Sequence, residues 1–400
     1  MELTERYKAD DELADAVLEL AASLMTRAAE LTARREGRRR ARMGRLLASD
    51  SGTRFVFALA DRVLRPFDPR IAAGQLRAVG ATALDGTSAL DRALLRMGVV
   101  AAGVFPAPVL GLVGGRLRQE TGSLIYPADP ASALGRRLSR LWRAGRRPNL
   151  NLLGEAVLGW DEAERRTAAI ENLLARGDVD CVSVKVSAIA PGLSLVDFEG
   201  SLDRLSEPMR RLYRAAARSD PPKLVNLDME EHRDLDLTVS LFMRLLDEPE
   251  FASLTAGLAL QAYLPDTHGA LDGLLAWARR RFERTGVPVR IRLVKGANLA
   301  MERVEAELMG WPAPVYPRKA ETDASYKRLL QRLIGATAHG AVRVGVASHN
   351  LFDIALALVW AEQAKVDIDI EMLAGMADAE AAAVAERTGG MLFYVPITAR

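Results

Sequence analysis

The stretch VRIRLVKGA, residues 289–297, decides the fold of this 400-residue chain. Its apolar residues alternate with two arginines, Arg290 and Arg292, and such alternation is typical of a β-strand. The run ends at Lys295 and Gly296, and a helix-forming segment follows. Ligands of α/β folds bind just beyond the carboxyl ends of strands that lead into helices. The sequence therefore predicts that Arg292 and Lys295 lie at a ligand site.

Seven further β-type runs lie around this stretch and alternate with amphipathic helical segments. The eight predicted strands are Asn149–Leu153, Cys181–Val186, Lys223–Met229, Gly257–Tyr263, Val289–Val294, Val342–Ala347, Val366–Ile370 and Met391–Val395. The helices between them include Asp161–Arg176, Phe198–Ala217, Leu235–Leu246, Leu271–Thr285, Lys327–Ala338 and Leu351–Gln363. Strict alternation predicts a parallel sheet, and eight repeats in about 250 residues match a (β/α)8 barrel. A doubly wound open sheet is the alternative, but no GxGxxG motif follows any of these strands.

The segment before the barrel is predicted to be a helical region, residues 1–147, with the barrel spanning residues 148–400 from Pro148 onward. Helical spacing covers Glu12–Ala33, Phe55–Leu64 and Ala89–Met97. The basic run Arg34–Arg40 is interpreted as a solvated helix face rather than a nucleic-acid or lipid site, because it has no interleaved aromatic residues.

The overall composition indicates a soluble, cytoplasmic protein. The formal net charge is +2, which argues against a dedicated nucleic-acid-binding protein. Cys181 is the only cysteine, so the chain cannot form an internal disulfide, as expected in a reducing compartment. The N-terminus has no signal-peptide pattern, and no uninterrupted apolar run reaches the roughly 18 residues of a membrane span.

Polar side chains gather at the predicted carboxyl ends of the strands, where barrel enzymes place their catalytic groups. This set comprises Lys185, Ser187, Asn226, Asp228, Glu230, Glu231, Gln261, Tyr263, Asp266, Arg292, Lys295, Ser348, His349, Asn350, Asp369 and Glu371. The cations suit an anionic cofactor or a carboxylate substrate, while salt bridges that close the barrel are the structural alternative. No His/Cys/carboxylate group has metal-ligand spacing, so we predict no metal site.

Seven motifs at successive strand ends resemble those of the proline dehydrogenase family. In chain order they are VSVKVS, NLDMEE, LQAYLPD, RLVKGA, RKAETDASY, ASHN and EMLAGM. The resemblance is specifically to the proline dehydrogenase part of the bifunctional proline-utilisation flavoenzymes, strong over residues 148–396 and weaker before them. It implies a (β/α)8 barrel with FAD at the carboxyl ends of the strands. It also implies oxidation of L-proline to Δ1-pyrroline-5-carboxylate, with electrons passed to a membrane quinone through a peripheral membrane contact.

The resemblance further implies roles for individual residues. The catalytic residues are Lys185, which meets the proline carboxylate, Asp228, which anchors the adjoining polar network, and Arg292, which approaches the reactive edge of the flavin. Substrate contacts are implied for Lys185, Asp228, Ala297 and Leu373. FAD contacts are implied for Met229 through its backbone, Gln261, Arg292, Lys295, Gly296, Ala297, Asn298, Arg318, Lys319, Ser348 and His349.

Two departures from the family pattern qualify this resemblance. Asn298 stands where the family usually has a tyrosine that packs against proline. The family's final barrel helix carries a paired Arg-Arg that clamps the carboxylate, and we expect the 400-residue chain to lack that helix because it stops after the eighth strand.

Two other functions remain open from the residues. Lys185 or Lys295 in a cation-rich barrel would suit a Schiff-base aldolase. A non-catalytic remnant or scaffold, binding a partner through the N-terminal helical region, is the third hypothesis. The sequence leaves self-association into a homo-oligomer open.

Overall fold

A computed structural model of the chain describes residues 2–32, 125–128, 131–154 and 156–398, together with a few isolated residues between 54 and 78. The backbone separates into two compact units, residues 1–28 with 124–400, and residues 29–123. The described helices are α1 (Glu2–Leu31), α2 (Ala131–Arg143), α3 (Trp160–Leu174), α4 (Phe198–Ala217), α5 (Leu235–Leu246), α6 (Thr267–Thr285), α7 (Leu299–Met309), α8 (Lys319–Thr337), α9 (Leu351–Ala364) and α10 (Asp378–Thr388). The described strands are β1 (Tyr126–Pro127), β2 (Arg146–Leu152), β3 (Cys181–Lys185), β4 (Leu224–Asp228), β5 (Gly257–Gln261), β6 (Val289–Val294), β7 (Val342–Ala347), β8 (Asp369–Leu373) and β9 (Met391–Thr398).

Strands β2 to β9 form a closed parallel barrel, which confirms the predicted (β/α)8 fold. Neighbouring strands pair in chain order, and β9 closes the ring by pairing with both β8 and β2. The short β1 pairs with the last residues of β9, beyond the point where β8 ends. Since all the barrel strands are parallel, their carboxyl ends meet at one rim, and the side chains that follow them converge there.

The alternation in β6 separates an apolar outer face from a charged interior. Val289, Ile291 and Leu293 are almost fully buried, as expected for side chains covered by the surrounding helices. Arg290 and Arg292 are also buried, but they bond to side chains of β8 and β4, which are not neighbours of β6. Both guanidinium groups therefore reach across the inside of the barrel.

Most of the predicted elements are found within a few residues of their predicted bounds. Helices α4 and α5 and strands β6 and β7 have the predicted limits, and α1 covers most of Glu12–Ala33. The helices predicted at Phe55–Leu64 and Ala89–Met97 and the basic run Arg34–Arg40 lie outside the described residues. The domain boundary at Pro148 stays a prediction.

The seventh predicted strand, Val366–Ile370, is wrong by three residues, because β8 spans Asp369–Leu373. Lys365 adopts a left-handed conformation with φ of 53° and ends α9, and Val366 bonds back to that helix through its backbone. The alternating pattern after Lys365 therefore begins in a connecting loop. As a consequence, Asp369 starts the strand and Glu371 lies in its middle, so neither is at the carboxyl end where the sequence placed it.

Among the described residues, no helix combines the length and apolar character needed to cross a bilayer.

Candidate functional site

Arg292 is held inside the barrel between two carboxylates from opposite sides. Its guanidinium forms an ion pair with Asp228 of β4 and another with Glu371 of β8, the latter at 2.9 Å. It also donates to Ser183 Oγ at 3.2 Å. The Nε atom is buried and has no hydrogen-bond partner among the described residues. Arg292 is thus fixed in position, with one buried donor left unpaired.

Glu371 is the centre of the buried network. Its carboxylate accepts hydrogen bonds from Arg292, from Arg290 at 3.1 Å and from Asn149 Nδ2 at 2.8 Å. Arg290 also pairs with Asp369 at 3.0 Å. Burial alone would raise the pKa of Glu371, but Arg292 and Arg290 hold that pKa below its usual value. Glu371 is therefore an ionised structural partner of both arginines, and sequence reasoning missed this role by placing it at the rim.

Tyr394 of β9 completes the surroundings of Asp228. Its hydroxyl donates to Asp228 Oδ2 at 2.7 Å, while Asn226 Nδ2 donates to Oδ1 at 2.9 Å. The Arg292 guanidinium lies 5.1 Å from the centre of the Tyr394 ring, within cation–π range. Burial, and next the charge of Asp228, raises the pKa of Tyr394, so the phenol stays protonated. Its position on the eighth barrel strand was the only signal that sequence reasoning could have used to find it.

Lys185 lies beside this network but has a different partner. Its backbone is in register with Asp228 on the adjoining strand, as the sequence predicted. Its ammonium instead forms an ion pair with Glu230, whose other carboxylate oxygen accepts from Ser187 Oγ at 3.1 Å. The cavity is ion-paired as expected, but the pairs are Lys185 with Glu230 and Asp228 with Arg292.

The loop after β4 is fixed through its backbone carbonyls. Gln261 Nε2 donates to the carbonyls of Met229 at 3.3 Å and Glu230 at 3.2 Å. Asn298 Nδ2 donates to the same Glu230 carbonyl at 3.0 Å. The structure thus brings together three residues for which the resemblance implied FAD contacts, namely Met229, Gln261 and Asn298.

Lys295 and Gly296 form the rim after β6. Lys295 Nζ is 2.6 Å from an oxygen of Asp323 and 2.7 Å from one of Asp353. Gly296 has a φ of 132°, and a Cβ atom there would lie only 2.1 Å from the Tyr263 ring. Glycine is therefore required at this position both for its backbone conformation and for the close approach of the ring. Ala297 follows it and is exposed.

The remaining predicted residues lie farther around the rim. Arg318 pairs with Glu321 at 2.6 Å and Lys319 pairs with Asp323, and both cations are largely exposed. His349 Nε2 accepts from the backbone N–H of Leu373 at 3.1 Å, so its Nδ1 carries the proton in the neutral ring. That Nδ1 is buried and has no partner among the described residues. Burial lowers the pKa of His349, which favours the neutral form. Ser348 Oγ accepts from the backbone N–H of Asn350 at 3.0 Å.

A cavity of about 440 Å³ opens beside the Lys185–Glu230 pair. Ser187, Glu230, Glu231 and Asp234 line it together with apolar side chains that include Val157, Leu193, Leu195 and Leu237. Burial, and next the charge of Glu231, raises the pKa of Asp234 to about 6. The part of the chain that the structure describes contains no group of three or more His, Cys, Asp or Glu side chains suited to a metal ion.

Comparison with known protein families gives a match over the barrel. The family model described as "Proline dehydrogenase" matches residues 134–399, which is more than half of the chain. The bifunctional protein PutA of Klebsiella aerogenes is 28% identical over 228 residues, covering 54% of this chain. A proline dehydrogenase of Deinococcus radiodurans is 31% identical over 198 residues, covering 48% of this chain and 54% of that protein.

Solved structures agree with this match. The structure of PutA from Corynebacterium freiburgense is 44% identical, with a TM-score of 0.68 over 71% of this chain and 29% of that one. PutA from Bdellovibrio bacteriovorus superposes with a TM-score of 0.79 over 97% of this chain, and its 22% identity supports the fold alone. The chain spans only 17% of the length of the Klebsiella protein. On the family match, the chain belongs to the proline dehydrogenase family.

Proposed function

We propose that this chain oxidises L-proline to Δ1-pyrroline-5-carboxylate with FAD and passes the electrons to a quinone. The observation that carries the proposal is the position of Arg292, fixed by Asp228 and Glu371 with its buried Nε unpaired. A fixed cation with a spare donor stabilises negative charge that develops on a neighbouring ring. FAD held at these strand ends would supply the redox chemistry, as the acceptor of the substrate's hydride.

The residues at the rim fit a large anionic cofactor. His349 offers a buried, unpaired Nδ1–H donor. Lys295, Arg318 and Lys319 lie along the same side, and exposed cations such as the last two can exchange a carboxylate partner for a phosphate.

The proposed substrate contacts are Lys185 for the carboxylate and Leu373 and Ala297 for the ring, with Asp228 anchoring the adjoining network. Asp228 accepts from Arg292, Asn226 and Tyr394, so its orientation is fixed before a ligand arrives. Such preorganisation holds a substrate in one orientation and keeps the entropy cost of the reaction low. The proline nitrogen must be neutral to release a hydride, so turnover should rise with pH as the amine loses its proton.

The electron acceptor and assembly belong to the same proposal. A quinone dissolved in a membrane would require a peripheral contact with that membrane by a cytoplasmic protein. A homo-oligomer is compatible with this arrangement. In this proposal, residues 148–400 form the catalytic domain and residues 1–147 form the helical region before it.

The geometry disfavours the aldolase alternative at Lys295. A Schiff-base lysine must lose its proton, and burial would promote that loss. Asp323 and Asp353, however, bond to the ammonium and raise the pKa of Lys295 overall. Lys295 is therefore held as a cation, which suits an anion-binding role better than a nucleophile.

Two measurements separate the hypotheses. The purified chain is loaded with FAD and mixed with L-proline or D-proline without oxygen, and the flavin absorbance is followed. The proposal predicts bleaching by the L form and a matching yield of Δ1-pyrroline-5-carboxylate. Bound flavin that L-proline leaves oxidised would overturn the proposal and support a non-catalytic role. Borohydride-dependent attachment of a carbonyl substrate to Lys185 or Lys295 would support the aldolase.

A further inference from the structure

Glu230 occupies the position where a ligand carboxylate is expected. Its two oxygens lie on Lys185 Nζ and Ser187 Oγ, so one carboxylate uses both the cation and the adjacent hydroxyl. These are the contacts that an incoming carboxylate would make on the same two groups. The side chains of Lys185 and Glu230 are 21% and 31% exposed, so the pair is within reach of a ligand.

Only the side chain of Glu230 is free to move. Its backbone carbonyl accepts from Gln261 at 3.2 Å and from Asn298 at 3.0 Å, which hold the main chain in place. Among the described residues, the carboxylate itself is bonded only to Lys185 and Ser187. Rotation of the side chain therefore breaks two side-chain contacts and leaves the loop after β4 unchanged.

The adjoining cavity provides room for this rotation. Its volume is about 440 Å³, and both Ser187 and Glu230 lie in its wall. Two carboxylates beside a single ammonium repel each other, so a ligand bound to Lys185 favours departure of Glu230. Ser194 and Arg233 in the wall offer donors to a displaced carboxylate, against the repulsion of Glu231 and Asp234, which line the same cavity.

We propose that Glu230 is an internal competitor for the substrate carboxylate, bound to Lys185 in the free enzyme and turned into the cavity when a ligand arrives. The inference rests on the proposed function for the identity of the substrate, L-proline. Its consequence is specificity. A ligand without a carboxylate does not replace Glu230 on Lys185, and every carboxylate binds with an apparent affinity reduced by the competition.

The test is the affinity of the FAD-loaded protein for cyclopentanecarboxylate, measured by calorimetry. This probe has the five-membered ring and the carboxylate but no nitrogen, so it is not oxidised. Replacing Glu230 by Gln removes the competing charge and should lower the dissociation constant about tenfold, the effect expected when a competing state is about ten times as populated as the open one. Glu230→Ala should act in the same direction.

Glu231→Gln is the matched control, because Glu231 lines the same cavity but pairs with Arg233 rather than Lys185. It should leave the dissociation constant unchanged. Melting temperatures confirm that the variants are folded.

An unchanged or weaker affinity for the probe in Glu230→Gln would overturn the inference. If the probe binds unchanged while L-proline binds more weakly, Glu230 is instead a partner of the substrate amine. Failure of the proposed function is separate. It would appear as a wild-type flavin that L-proline does not reduce, whatever the variants do to the affinity for cyclopentanecarboxylate.

Discussion

The barrel interior and the rim above it hold their charges in different ways. Inside, Arg292 and Glu371 have side chains only 6% and 2% exposed, and each has more than one ionic or hydrogen-bonded partner. On the rim, Arg318 and Lys319 are 76% and 82% exposed. Each pairs with a single carboxylate of α8, Glu321 or Asp323.

This difference assigns different tasks to the two regions. A buried pair is costly to break, because the partner left behind is an uncompensated charge. An exposed pair contributes little to stability and can exchange partners readily. The interior therefore fixes the orientation of Arg292, and the rim supplies cations that remain available to an anionic ligand.

The largest effect is expected for Glu371→Ala. It leaves Arg290 without one of its two carboxylates and Arg292 with Asp228 alone, so we expect unfolding free energy to fall by about 3–5 kcal/mol. Denaturant unfolding measures this loss. Glu362→Gln on the exposed side of α9 is the control and should be nearly neutral. A loss below about 1 kcal/mol, the level of a surface pair, would remove the distinction between interior and rim.

The acid sensitivity of the fold should follow from the same residue. The folded-state pKa of Glu371 lies below the ordinary value of 4.5, so its contribution is fully present above that pH. It is lost as the pH falls through the lower, folded pKa. Unfolding free energies measured from pH 7 downward should therefore fall less steeply in Glu371→Gln than in the wild type. Identical slopes would show that Glu371 is not held ionised by its arginines.

Lys295 should have an intermediate effect, because it lies between the two regions. Lys295→Met removes the ionic partner of Asp353, whose side chain is only 5% exposed. An unpaired buried polar group costs about 1–3 kcal/mol, and we expect a loss of stability in that range. Adding Asp353→Asn to the Lys295→Met variant should raise the melting temperature part of the way back to that of the wild type. Failure of the second change to restore anything would mean that Asp353 is not the group left unsatisfied.

The smallest effect on stability is expected for Arg318→Ala on the rim. Its pair with Glu321 is exposed, so the unfolding free energy of the apoprotein should hardly change. If the rim binds the cofactor phosphates, the dissociation constant for FAD should nevertheless rise severalfold, as measured by fluorescence titration. Glu321→Gln, which frees Arg318, should not weaken FAD binding. Equal FAD affinity in Arg318→Ala and the wild type would remove Arg318 from the cofactor site.

The sequence predicted the barrel well because its signals are local. The alternation in Val289–Val294 and the helical spacing of Phe198–Ala217 involve only residues close together in the sequence. The corresponding strand and helix have the predicted bounds. The misplaced seventh strand shows the limit of local patterns. Lys365, in a left-handed conformation, ends the preceding helix, and the strand that follows begins three residues later than predicted.

The partners of the site residues were less predictable than their positions. Lys185 and Asp228 are in register as expected. However, Lys185 pairs with Glu230, and Asp228 pairs with Arg292 on a strand across the barrel. Spacing along the chain does not show which side chains meet across an interior. Tyr394 was not singled out for the same reason, and Glu371 was placed at the rim instead of between Arg290 and Arg292.

The most direct test of the account is a crystal structure of the chain with FAD and cyclopentanecarboxylate bound. We expect the flavin ring at the carboxyl ends of the strands, in hydrogen-bond contact with the Arg292 guanidinium. We also expect the carboxylate of the ligand on Lys185 and the Asp228–Arg292–Glu371 contacts unchanged. A flavin bound away from Arg292, or an Arg292 released from Asp228 and Glu371, would contradict the claim that the buried network holds this arginine for the cofactor.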